Sequence, residues 1–91
     1  MAGTNDKNQG NGGSPIEAVT LVRAAGAGML TPPWGQTSPS VHAAPDSGRH
    51  VLIDWKRRAV VFELRNDSGE LQARRYTPLE QIDIVDVELA P

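Results

Sequence analysis

The amino-acid sequence predicts a mainly β protein, a small antiparallel meander, and three observations carry that expectation. The second half alternates apolar and polar residues at the period of two that a half-buried strand requires, in "HVLID" (50–54), "AVVFELR" (59–65) and "IDIVDVEL" (82–89). A turn signal, "NDSG" from Asn66 to Gly69, follows the second of these runs. The 91 residues include no cysteine and only four aromatics, Trp34, Trp55, Phe62 and Tyr76. The core is therefore thin, with no disulfide or thiolate metal to staple it. A chain of this length makes one domain, and small unstapled domains often complete their core against another subunit.

Residues 1–13, "MAGTNDKNQGNGG", hold no Leu, aromatic or β-branched aliphatic residue. Such a segment has nothing to bury against the entropy of ordering it, so a disordered N-terminal tail is expected, with residues 14–91 as a single β-rich domain. "SPIEAVTLVRAAG" (14–26) reads first as one N-terminal helix. Ser14 is a suitable N-cap, Pro15 suits the first helical position, Glu17 completes a capping box and Gly26 supplies a left-handed stop. A helix packed across the sheet would make the fold α+β. The competing reading is a strand, because Val19, Thr20 and Val22 are β-branched.

Residues 27–48 read as an irregular Pro/Gly-rich connection. Its later part, "TPPWGQTSPSVHAAPDSG", holds four prolines and two glycines, which remove ladder donors and favour turns. Connections this long are usually functional, mobile or pinned by a side chain. Trp34 is the natural anchor.

"WKRR" (55–58) then makes a tight connection between two strands, and "NDSG" predicts a type I turn with Gly69 left-handed. With Asn66 facing Gly69, Leu64 lies opposite Leu71, Phe62 opposite Ala73 and Val60 opposite Arg75. The other face pairs Arg65 with Glu70, Glu63 with Gln72 and Val61 with Arg74. Pro78 in "YTPLEQ" cannot serve in a ladder, so a short 3₁₀ turn is expected there. In the last strand the alternation slips, with Ile82 and Ile84 on one face and Val85, Val87 and Leu89 on the other. Such a slip marks a bulge or apolar partners on both faces. A meander with a 3₁₀ turn before its last strand is laid out as SH3-like small barrels are, a likeness of element order that carries no function.

The net charge of −2 hides a polar distribution. Arg49 to Arg75 hold seven basic residues against four acids, whereas Tyr76 to Pro91 hold four acids and no base. No apolar run approaches the roughly 18 residues of a membrane span. "AVTLVRAAGAGML" carries Arg23 in its interior and follows a polar leader, unlike a signal peptide. A cytoplasmic protein that does not engage a membrane is the expectation.

Two sets of side chains are candidate sites. Trp34, Val85, Val87 and Leu89 are apolar residues available to a protein interface. Trp55, Lys56, Arg57, Arg58 and Arg74 form the alternative, a basic turn beside an aromatic, able to contact nucleic acid. Against the second, Arg65 and Arg74 have acidic neighbours in the expected register, which leaves Lys56, Arg57 and Arg58 unpaired. Asp83, Asp86 and Glu88 do not converge as calcium ligands do. His42 and His50 lack metal-ligand companions. "GAGMLT" lacks the third glycine of a dinucleotide loop, and no G-x-S-x-G elbow occurs. No catalytic, cofactor or metal constellation is found, so the sequence points to a non-enzymatic module that binds another protein or itself. A small nucleic-acid-binding barrel is the alternative.

Overall fold

The computed structural model describes residues 16–83 and the backbone of 88–89. The expected N-terminal tail lies outside these residues, as do Val85 and Val87. Six strands are described: β1 (Ile16–Arg23), β2 (Ser40–His42), β3 (Arg49–Asp54), β4 (Ala59–Arg65), β5 (Leu71–Pro78) and β6 (Glu88–Leu89). They form one antiparallel sheet in the order β2-β1-β3-β4-β5, with β6 also on β1. The meander curls into a half-barrel, and short 3₁₀ turns occupy Pro45–Ser47 and Leu79–Gln81. The mainly β expectation holds.

The expected N-terminal helix does not form. Ile16–Arg23 is a strand whose backbone finds partners in three other strands. Ile16 to Val19 pair with β3, Leu21 to Arg23 pair with β2, and Val19 and Leu21 face β6. A helix here would satisfy its own backbone but leave β3 an open edge, so tertiary pairing outweighs the local capping signal. The register also shifts between Val19 and Leu21 opposite β6. This bulge lets Val19 and Val22, three residues apart, both enter the core. Three is a helical spacing, and here it comes from an irregular strand.

The connection after β1 is more ordered than its composition suggests. Leu30 and Ser38 exchange backbone hydrogen bonds of 2.7 and 2.8 Å, and the Thr31 and Thr37 hydroxyls bond at 2.7 Å. Between them Trp34 meets Phe62 edge to face, with ring centroids 6.0 Å apart at 85°. Trp34 is thus the anchor, and it serves the protein's own core. The segment between β2 and β3 closes on itself through paired bonds between Ala44 and Arg49.

Phe62, Val60, Ile53, Val51 and Val19 line the inner face of the sheet and are almost fully buried. Leu30, Leu79 and Ile82, all from outside the regular strands, pack against them. Ile82 bridges to Ala24 across the far edge of β1, so the segment after β5 returns to the first strand.

Gly69 is left-handed, as the "NDSG" turn requires, with φ of 82°. The hairpin register differs from the expected one by two residues: Leu64 faces Ala73, Phe62 faces Arg75 and Glu63 faces Arg74. A bulge between Leu64 and Arg65, which pairs with Leu71, absorbs the difference. From Ala73 onward the shift is even and side chains keep their expected faces, but on the turn side of the bulge it is one residue, so Leu71 faces Arg65 and not Leu64. The expected ion pair is replaced, however. Arg65 bonds Glu63, and Glu70 instead accepts from the Asn66 side chain.

Candidate functional site

Two backbone bonds fix the phase of the ladder at the end of the sheet. The Arg65 N–H donates to the Gly48 carbonyl at 2.8 Å, and the Leu79 N–H donates to the Arg58 carbonyl at 3.0 Å. In an antiparallel pair, residues that exchange bonds alternate with residues that do not. Stepping back by twos from Arg58 and Leu79, the bonded pairs are Val60–Thr77, Phe62–Arg75 and Leu64–Ala73. Arg74 and Tyr76 therefore turn their N–H and C=O groups away from β4, toward the outside of the sheet, whereas Gln72 sits in the bulge beside Leu64 and Arg65. Among the described residues no strand pairs there. β5 is thus an eight-residue strand with one edge open.

The surroundings of this edge are partly apolar. Tyr76 is 49% exposed, Leu71 40% and Met29, on the neighbouring loop, 53%. A cleft of about 270 Å³ lies between Met29–Thr31 on one side and Arg75–Pro78 on the other. The outer face of the sheet continues the pattern, because the register sets Ala18, Leu52, Val61 and Tyr76 in one row across four strands. The next row holds His50, Glu63 and Arg74.

Charge at the edge is one-signed. From Leu71 to Pro78 there are two arginines and no acid. Arg74 is committed to Glu63 of β4, with guanidinium contacts of 3.0 and 2.8 Å. Arg65 reaches the same carboxylate at 3.1 Å. Burial pushes the Glu63 carboxyl up, but the bonds from Arg74 and Arg65 outweigh it and hold the group below its ordinary value. The hydrogen bond to Glu63 in turn raises Arg74. Arg75 lies on the opposite face and makes no ion pair among the described residues.

The basic turn is less free than the sequence implies. Arg57 was expected to be unpaired, but its backbone N–H and guanidinium bind the buried Asp54 carboxylate at 3.0 and 3.1 Å. The backbone bond from Arg57 is the leading reason the Asp54 carboxyl lies below its ordinary range. A connection that returns the chain within four residues brings its own backbone N–H onto the preceding strand's last side chain, which strand alternation alone does not reveal. Trp55 is 39% exposed and donates its indole N–H to Glu17. Lys56 and Arg58 remain at the tip, both exposed, and Arg58 is left-handed with φ of 54°.

Of the apolar candidates, Trp34 packs inward and Leu89 pairs through its backbone with Val19. Val85 and Val87 are not among the described residues. Sequence reasoning missed Met29, Arg75 and Tyr76 as neighbours of an open edge. The available signal was Pro78 ending a basic strand that lacks acids, since proline and cations mark edges. No group of three or more potential metal ligands clusters among the described residues. No helix there is long and apolar enough to cross a membrane. Comparison with protein-family models, curated proteins and solved structures gives no match to this chain.

Proposed function

We propose that the protein is a non-enzymatic interaction module that takes up an extended, acidic segment of another protein as an added strand on β5. The open edge at Arg74 and Tyr76 is the observation that carries this. An added strand would bond to backbone groups already held in the extended conformation, and its alternate side chains would fall into the cleft beside Met29 and Tyr76. Arg75, with Lys56 and Arg58 near the Pro78 end, favours an acidic partner and disfavours a second copy of β5, whose own arginines would approach. Self-association through Val85, Val87 and Leu89 is the second form of the same idea, and light scattering at high micromolar concentration distinguishes the two. The element order, with a 3₁₀ turn before the returning last segment, also fits an SH3-like barrel, a fold that leaves function open.

The test uses a synthetic peptide of alternating glutamate and valine, titrated calorimetrically. Tyr76→Pro removes an outward N–H while sparing the ladder to β4, so binding should fall at least tenfold below that of Tyr76→Ala. Tyr76→Ala keeps that N–H and is the control against which the proline variant is read. Equal binding by the proline variant would sink the strand-addition mechanism.

The alternative, nucleic-acid contact through Trp55, Lys56, Arg57, Arg58 and Arg74, gains one feature from the register. Tyr76 joins Arg74 on the outer face, giving a second exposed aromatic. It loses Arg57 and Arg74 to carboxylates. Binding of this kind would weaken steeply with salt, and a Lys56→Ala/Arg58→Ala double variant that kept parental affinity for single- and double-stranded probes would exclude it.

A further inference from the structure

A second concavity lies away from the β5 edge, and its chemistry is different. Trp34, Gln36, Ser38, Ser40, His42 and Arg49 are among the residues lining an open concavity of about 400 Å³, a volume within the range of small-molecule sites. Its walls carry a permanent cation, an imidazole, two hydroxyls and a carboxamide. No carboxylate is among them.

The walls are also held in place. Ser40 and His42 lie two apart on β2, which pairs with β1 from Leu21 to Arg23, so both side chains share one face. Arg49 opens β3 and is tied to Ala44 through its backbone in both directions. Trp34 is fixed on Phe62, and the loop behind it is closed by the Leu30–Ser38 and Thr31–Thr37 bonds. A long loop closed by this many bonds, around a hollow lined with donors, is a pattern of binding sites more than of connectors.

We infer that this hollow binds a small phosphorylated molecule carrying a planar ring, of the nucleoside monophosphate class. The guanidinium of Arg49, the imidazole of His42 and the hydroxyls of Ser38 and Ser40 offer more donors than a carboxylate accepts. The three terminal oxygens of a phosphate monoester can use them. The indole of Trp34 supplies an apolar wall for the ring. This site is independent of strand addition at β5.

The probe is adenosine monophosphate, followed by Trp34 fluorescence in a Trp55→Phe background and by calorimetry on the full chain. A saturable change in the millimolar range or below is expected, with inorganic phosphate and adenosine each at least tenfold weaker. Arg49→Met should lose at least tenfold in affinity. Because the backbone of Arg49 makes the strand contacts, that variant should keep the parent's unfolding midpoint. Lys56→Ala/Arg58→Ala should bind like the parent, which separates this site from a diffuse attraction to the basic turn. No saturable signal with adenosine monophosphate, or equal affinity in Arg49→Met, overturns the inference. So does binding of phosphate alone as tightly as the nucleotide.

Discussion

At the scale of single residues, Gly48 is the position least open to change. Its φ is +75°, and a Cβ built there would fall on the carbonyl oxygen of Arg65, the end of the strand that Gly48 itself accepts a bond from. Gly48→Ala combines left-handed strain with a backbone clash, and should cost about 2–4 kcal/mol in urea unfolding. Gly26→Ala is the control, with a similar φ of +58° and nothing within 4 Å, so only strain of about 1 kcal/mol should remain. Glu63 makes a second residue-scale prediction. Its carboxyl titrates lower in the folded chain than its ordinary value of 4.5. As pH falls below that value the unfolded chain takes up the proton first, so stability is present above it and lost through the folded pKa. Glu63→Gln should therefore be less stable at neutral pH and show a flatter loss of stability on acidification. An unchanged acid slope would mean that the Arg65–Glu63–Arg74 cluster is not a source of pH dependence.

At the scale of elements, β3 and β4 were legible because each is short, alternating and bounded by turn residues, while the strand expected at 82–89 lies largely outside the described residues. Gly69 announced the hairpin. Register was not legible to the residue, since the bulge at Leu64–Arg65 depends on how Asn66 caps the turn: its side chain accepts from the N–H groups of Ser68 and Glu70. β1 was misread as a helix because the capping signal at Ser14 and Pro15 is local, whereas the pairing of Ile16–Arg23 with β2, β3 and β6 is not. The candidate site was hidden for the same reason. An edge is defined by which strand lies last in the sheet, and sequence alternation is identical for edge and interior. The phase of the ladder gives a direct test of that edge by amide hydrogen exchange. The N–H groups of Ala73, Arg75 and Thr77 should be protected and those of Arg74 and Tyr76 should exchange fast. Protection of the second set in the isolated protein would mean that the edge is already covered.

At the scale of the whole molecule, one loop joins the two concavities to the core. Trp34 reaches Phe62, the largest fully buried side chain among the described residues, from a loop that is closed on itself at Leu30–Ser38 and tied at its base by the Ala25 N–H to the Gln81 carbonyl. The loop also delivers Leu30 beneath the sheet and presents Met29 to the β5 cleft. Docking of this loop therefore supplies one wall of each concavity. A folded unit of this length has a total stability of only a few to about 10 kcal/mol, so the anchor is a large share of it. Trp34→Ala removes a half-buried indole, and a loss of about 2–3 kcal/mol is expected, at or below the lower end for a fully buried one. The loss should be local before it is global. In exchange measurements the amides of Leu30 and Ser38, which bond each other across the loop, should lose protection first, while the β3–β4 and β4–β5 pairings keep theirs. Adenosine monophosphate binding should disappear with the wall that Trp34 provides. If Trp34→Ala instead cost under about 0.5 kcal/mol and left Leu30 protected, the loop would be held by its own closure and by Leu30. The indole would then be free to serve a ligand alone.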